Sequence, residues 1–396
     1  MDVTPGLRRD PLPDLDGVGE DEALVARIRD EIARDGPMTF ARFMDLALYD
    51  PDGGYYRGAA TGPGRSGDFL TAPETHPIFG AALSRAVADA WDRLERPRPF
   101  VLREHGAGTG TLSVALLDGL ATERPDVLAA IRYEPVDIAP ERVAAVGARL
   151  AAAGHGDRLD TAPPGEPIDG FVLANELLDA LPTHRVVRRA GRLREVLVGS
   201  GDGAFVDVEA DPTTPALAER LDVEGVTLAD DQHAEVCLAL DGWLAGVAAG
   251  LRRGVVVLID YGYPAAELYD PVRRRDGTLR AYLRHRVHDD PYIHVGRQDL
   301  TAHVDVTAVE RAAASGGLAH LGTTTQAEFL VGLGMEDLLA AIREDPATTM
   351  EAWLAVRSAL IRLLDPAAMG RFRVMAFGRG WPDGPALAGL GYRLAR

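Results

Sequence analysis

Lysine is missing altogether: the 42 strong bases among the 396 residues are all arginine. A phosphate-binding P-loop, a Schiff-base enzyme and a Ser–Lys hydrolase each need that amine, so all three are excluded. Cysteine is nearly as scarce. Cys237 alone can form no internal disulfide and no Cys-rich zinc site, and it fits a reducing compartment. Positive charge is short in general, with 60 acids against the 42 bases and a net charge of −18. Sequence-independent nucleic-acid binding needs a basic footprint, so no nucleic-acid partner is expected. No apolar run reaches the roughly 20 residues of a membrane span, so no membrane association is expected either. Residues 1–20 are rich in Pro, Gly and Asp, with no cationic and no apolar region. They read as a flexible arm rather than a signal or transit peptide, and a cytoplasmic location is expected.

What is present is an ordinary globular mixture, 46% hydrophobic and 26% charged. The stretch Glu22 to Leu48 has helical spacing, broken at Asp35–Gly36–Pro37 into two helices with Thr39 as the second N-cap. Asp50 to Gly67 reads as loop, and Pro77 to Leu94 as an amphipathic helix. Then an alternation begins: strand Phe100–Glu104, helix Leu112–Leu120, strand Arg132–Asp137, helix Pro140–Ala153, strand Gly170–Ala174 and strand Val255–Asp260. Strands alternating with helices predict a parallel sheet with right-handed crossovers. A long helix Glu351–Leu364 and a late strand Phe372–Phe377 follow. Two stretches interrupt this pattern. Residues of about 183–210 have hairpin character (Arg185–Val187, Glu195–Val198, Ala204–Val208), and about 263–350 are polar, then helical.

The strand Phe100–Glu104 runs into His105, Gly106, Ala107, Gly108, Thr109, Gly110 and Thr111. Glycines between a strand and a helix let the backbone approach a ligand and aim amides at it. The dinucleotide fingerprint would need a third glycine where Thr111 stands, which disfavours a nicotinamide-dependent oxidoreductase. The pattern E-x-G-x-G-x-G suits S-adenosylmethionine instead. That cofactor has no pyrophosphate, and the acid Glu104 complements its ammonium. Asp137, closing the next strand, can accept both ribose hydroxyls.

With these residues in view, the chain resembles the MidA-like family of S-adenosylmethionine-dependent methyltransferases. The resemblance runs from about residue 22 to 380. It is carried by Pro37–Met38–Thr39–Phe40, Tyr49–Asp50–Pro51, Gly54–Tyr55–Tyr56, Gly67–Asp68–Phe69–Leu70, Thr71–Ala72–Pro73–Glu74 and Phe79–Gly80. The glycine loop, Ala174–Asn175–Glu176–Leu177, Leu178–Asp179–Ala180–Leu181–Pro182 and Asp260–Tyr261–Gly262 continue it. Gly277–Thr278–Leu279, His288, Asp290–Pro291, Gln298–Asp299–Leu300–Thr301, Ala302–His303–Val304–Asp305 and Met369–Gly370–Arg371–Phe372–Arg373–Val374 complete it. Two departures stand out: His105 where an apolar residue is usual, and His294–Val295–Gly296 in place of a Pro-Gly step.

The resemblance implies a doubly wound, Rossmann-like α/β sheet, mostly parallel with a late antiparallel strand. It implies a flexible arm (1–20), an N-terminal helical segment covering the cofactor site (21–96), a methyltransferase core (97–262) with the hairpin insertion, a substrate-side subdomain (263–350), and a C-terminal helix and strand completing the core (351–396). S-adenosylmethionine would be held by Gly106, Gly108, Gly110, Glu104, Asp137 and Asn175, with Gly67, Asp68 and Glu74 from the N-terminal segment. Mitochondrial members methylate an arginine of a respiratory complex I subunit, which implies a protein substrate presenting an arginine. A homodimer is left open.

Methyl transfer is an in-line displacement that needs positioning and desolvation more than a strong acid. A guanidinium acceptor is protonated at neutral pH, and carboxylates can fork it, favour one nitrogen and take its proton. Glu176 is the expected orienting acid, assisted by Asp179 or Asp260. No metal is expected, because His285, His288, His294 and His303 match no zinc template. Tyr55 and Tyr56 fit core packing better than adenine stacking, and Arg273–Arg274–Arg275 reads as a solvated face. The competing readings are a cofactor-binding assembly factor without turnover and a methyltransferase of small molecules.

Overall fold

The computed structural model describes residues 17–57, 71–161 and 165–394. Six strands form the central sheet: β1 (Phe100–His105), β2 (Ile131–Val136), β3 (Ile168–Asn175), β4 (Leu251–Asp260), β5 (Ala319–Thr325) and β6 (Arg373–Arg379). Their spatial order is β5-β6-β4-β3-β1-β2. The four strands β2, β1, β3 and β4 are parallel. The late strand β6 runs antiparallel to both of its neighbours. The parallel strands are those that the alternation of strands and helices predicts, and the doubly wound sheet with one late reversed strand is the one that the resemblance implied.

Helices cover both faces, which is why the strand residues are apolar on both sides. Two helices, α1 (Glu22–Asp35) and α2 (Phe40–Tyr49), lie off the sheet; those on or beside it include, in chain order, α3 (Ile78–Arg93), α4 (Thr111–Glu123), α5 (Pro140–Ala152), α6 (Ala239–Ala249), α7 (Val306–Ser315) and α8 (Met350–Leu364). Because side chains alternate along a strand, one face of the sheet (Leu102, Leu173, Val257) packs with α3, α4 and α8. The other face (Val101, Val172, Val256, Leu258) packs with α6 and α7. The alternation also forces close strand approach at one point: a Cβ added to Gly170 would lie 2.0 Å from the carbonyl oxygen of Val101.

The N-terminal pair begins with good caps. Asp21 accepts from the Leu24 amide at 3.0 Å, and Thr39 accepts from that of Arg42 at 3.1 Å. Its apolar faces do not reach the central sheet. Leu24, Ile28, Phe40, Phe43 and Met44 instead pack with Val198, Phe205, Leu279 and Leu300 in a third core. The hairpin stretch forms three consecutive antiparallel strands, His184–Arg189, Arg192–Gly201 and Ala204–Ala210. Met38–Thr39 adds to Arg192–Gly201, and His233–Val236 adds to His184–Arg189. Neither short strand was expected, since each is too brief to show a period. A strand was also missed at β5, which lies inside the stretch 263–350. Its sequence Ala319–His320–Leu321–Gly322–Thr323–Thr324–Thr325 is polar, in keeping with its place at the edge of the sheet, where most of its residues are exposed or half-buried.

A Gly170→Ala variant should unfold about 3 kcal/mol more easily in urea, because the added methyl collides with a neighbouring strand's carbonyl. Gly246→Ala, whose Cβ would meet nothing within 4 Å in the middle of α6, should instead gain about 0.5–1 kcal/mol. Equal shifts in the two midpoints would contradict this packing.

Candidate functional site

The carboxyl ends of β1, β2, β3 and β4 meet on one edge of the sheet. There the chain leaves a cavity of about 670 Å³. Open parallel sheets bind ligands at this edge because neighbouring connections diverge there.

The glycine loop forms its floor. Gly106, Gly108 and Gly110 have φ of +69°, +53° and +77°, a region in which side chains are strained. A Cβ on Gly106 would stand 2.8 Å from a methyl of Leu177, so the loop also runs tight beneath the next turn. α4 starts directly after it at Thr111, with its amide ends toward the cavity. Glu104 lies beside the loop, buried, and accepts from the Tyr133 hydroxyl at 2.7 Å. Desolvation pushes its pKa up to about 7, opposed by that hydrogen bond.

Asp137 lines the cavity next to the loop. Its Oδ1 accepts from the Ala139 amide at 3.1 Å, turning the chain into α5. Among the described residues only that one oxygen is engaged, so the carboxylate is not spent on capping. Asn175 ends β3 with Oδ1 buried and without a partner among the described residues, while its Nδ2 donates to Glu176 Oε1 at 3.1 Å. Glu176 itself sits at φ +52°, outside the regular strand region. Its Oε1 also accepts from the Ala72 amide at 2.9 Å. Burial pushes this carboxyl up to about 7, and the Ala72 amide works against the shift.

Glu74 reaches the site from the same N-terminal segment as Ala72. It accepts from the hydroxyls of Thr109 at 2.7 Å and Thr111 at 2.8 Å. The short turn Thr71–Thr75 is thus pinned at two points, to the glycine loop and to Glu176. Gly67 and Asp68 lie outside the described residues.

The two other expected acids stand apart from the cavity. Asp260 is fully buried. Its Oδ2 accepts from the amides of Leu177 (3.1 Å), Leu178 (2.8 Å) and Asp179 (3.3 Å), and its Oδ1 from that of Tyr261 (2.8 Å). Both oxygens are committed to backbone, which corrects the expectation of a substrate-facing role. Asp179 is buried and accepts from the Tyr261 hydroxyl. Burial pushes its pKa up to about 6. Asp179 is not among the residues that line the cavity.

Several further residues join the site, and one of them corrects an expectation: Tyr56, read from the sequence as core packing, borders the cavity. Tyr49 and Tyr56 line it, the first hydrogen-bonded to the Ala180 carbonyl (2.7 Å) and the second to Asp299 (2.8 Å). Asp45, Arg142 and Trp243 line it too, Trp243 packing edge-on against His105 at 5.5 Å. The doublet Tyr55–Tyr56 splits: Tyr55 is core, Tyr56 is cavity wall. Aromatic residues at helix ends and turns carry no periodic signal, so only the fold could select them. His303 packs against Tyr261 and Tyr263, and burial pushes its pKa down to about 3. Among the described residues no group of three or more potential ligands gathers for a metal, and no helix is long and apolar enough to cross a membrane.

Residues 82–324 match the family model described as "putative S-adenosyl-L-methionine-dependent methyltransferase". The Drosophila melanogaster protein named protein arginine methyltransferase NDUFAF7 homolog, mitochondrial, is 30% identical over 393 residues, covering 89% of this chain and 84% of its own. The Homo sapiens protein arginine methyltransferase NDUFAF7, mitochondrial, is 27% identical, covering 87% and 81%. A Burkholderia thailandensis protein crystallised with S-adenosyl-homocysteine superposes with a TM-score of 0.86 at 36% identity, covering 96% and 98%. These names overturn one expectation. The relatives are mitochondrial, so a cytoplasmic location does not follow from one cysteine and an unpatterned N-terminal composition.

The buried Glu104 leaves a thermodynamic mark. Its folded pKa of about 7 lies above the ordinary 4.5, so between those values the unfolded chain sheds a proton that the folded chain keeps. Stability from this group is complete below pH 4.5 and declines as pH rises toward 7. Glu104→Gln retains an acceptor for Tyr133 and removes the titration. Urea unfolding at pH 5 and pH 8 should show the variant gaining on the parent by up to about 3 kcal/mol at the higher pH. Parallel pH profiles would argue against a desolvated carboxyl.

Proposed function

This chain belongs to the family of S-adenosyl-L-methionine-dependent methyltransferases, and from that premise we propose that its acceptor is an arginine side chain of a protein. The observation carrying the proposal is the charge of the cavity. Asp45, Glu74, Glu104, Asp137 and Glu176 line it, and Arg142 is the one cationic side chain doing so among the described residues. Such a wall attracts a cation and repels an anionic small molecule. The names of the fly and human relatives support the same acceptor.

The residues present fit the cofactor. Asn175 Oδ1 is a buried acceptor without a partner among the described residues, suited to the ammonium group. Asp137 offers a carboxylate to the ribose hydroxyls, and Gly106–Gly110 leaves room where side chains would intrude. S-adenosylmethionine supplies an electrophilic methyl on a sulfonium that departs as a neutral thioether. The protein's part is to orient the acceptor and accept one proton. Glu176 is suited to both. Its Oε1 is fixed by Ala72 and Asn175, which presents the rest of the carboxylate at a set angle. Its raised proton affinity matches a base working near neutrality. Asp179 and Asp260 act at one remove: Asp260 binds the turn that carries Glu176, and Asp179 anchors Tyr261.

Glu176→Gln should bind S-adenosyl-homocysteine within about threefold of the parent, yet lose at least 100-fold in labelled-methyl transfer to arginines of lysate proteins. With the parent, transfer should rise with pH through about 7 as Glu176 ionises. Retained transfer by the variant would favour a cofactor-binding assembly role. Asp137→Ala should instead weaken S-adenosyl-homocysteine binding by roughly 10- to 100-fold in calorimetry, the loss of two charge-assisted hydrogen bonds.

A further inference from the structure

Tyr49 and Tyr56 lie nearly parallel, ring centres 5.6 Å apart and planes 18° from each other. Each is fixed at its far end, Tyr49 by the Ala180 carbonyl and Tyr56 by Asp299. Together they make a rigid aromatic shelf on the cavity wall. The guanidinium of Arg142, from the first turn of α5, lies over the Tyr56 ring with its carbon 5.6 Å from the ring centre. Arg142, Tyr49, Tyr56, Asp45 and Glu176 all border the same space. A planar, weakly hydrated guanidinium stacks on an aromatic face, whereas a compact, strongly hydrated ammonium gains less there. One face of the cavity therefore already holds the chemical group that an arginine acceptor would present.

We propose that the face of Tyr56 is the acceptor guanidinium's seat, and that Arg142 occupies it as an internal stand-in which the substrate displaces. This rests on the arginine reading above. The seat selects arginine over lysine, through the shelf, and Glu176 then engages the nitrogen edge. Arg142 keeps the shelf covered in the free protein and sets a threshold that a weakly bound cation does not pass.

The test uses the full chain saturated with S-adenosyl-homocysteine, titrated with L-arginine methyl ester and, in parallel, L-lysine methyl ester. The parent should prefer the arginine ester. Arg142→Ala should bind that ester at least threefold more tightly, because the competitor is gone, a gain that a merely structural residue would not give. Tyr56→Leu should bind it at least fivefold more weakly and lose the preference, while Tyr56→Phe keeps the ring and most of the affinity. S-adenosyl-homocysteine affinity should stay within twofold throughout. Weaker ester or cofactor binding by Arg142→Ala, or an unchanged preference in Tyr56→Leu, overturns the seat and leaves the arginine acceptor standing. A parent that takes neither ester in preference overturns the arginine reading, and the seat with it.

Discussion

Four amide hydrogens converge on one buried carboxylate, and the geometry of the site follows from that. Asp260 closes β4 and gathers the amides of Leu177, Leu178, Asp179 and Tyr261. Three of these amides stand at the crossing from β3 to the next segment and the fourth, that of Tyr261, directly after β4, where no regular ladder is available to pair them. Leaving them unpaired in a dry interior would cost about 1–3 kcal/mol each. Burial and the nearby Asp179 and Glu176 raise the proton affinity of Asp260, and the amides hold it against that pull. With the turn held, Glu176 can persist at a positive φ that an isolated chain would leave, a strain tolerated only where the surroundings over-determine it.

A second consequence is the company these acids keep. Glu104 and Glu176 are driven toward neutrality by loss of water rather than by a partner of opposite charge. Carboxyls in that condition bind a cation strongly once it arrives, because the cation restores what desolvation removed. A cationic cofactor carrying a sulfonium and an ammonium suits such a pocket, and so does the guanidinium acceptor proposed above. The absence of lysine from the chain leaves arginine as the only internal cation that could compete, and one arginine does stand in the cavity.

Much of this was legible in the residues. Glycines at 106, 108 and 110 after a buried strand announced a ligand loop, because left-handed backbone there has no other cheap origin. The acid at 137 and the pair 175–176 follow from where parallel strands end. The helix cap at Thr39 was readable because a side-chain oxygen before an apolar period has a local purpose. Asp260 was misjudged for a physical reason: a strand-end acid looks the same in sequence whether it faces a cavity or a set of amides. Tyr49, Arg142 and Trp243 were not legible as site residues, and Tyr56 was misassigned to core packing. They come from four separate elements, and only tertiary packing brings them to one wall. The short strand His233–Val236 and the edge strand β5 were missed because few or half-covered residues show no period.

The turn Thr71–Thr75 has a consequence for traffic. One end is gripped by Glu176 through Ala72, the other grips the glycine loop through Glu74, Thr109 and Thr111. The same few residues are thus fastened to both halves of the chamber. Any strain on this turn is therefore felt at the glycine loop and at Glu176 together. For anything entering the chamber the two walls are mechanically dependent, because displacement of one is carried to the other through this turn.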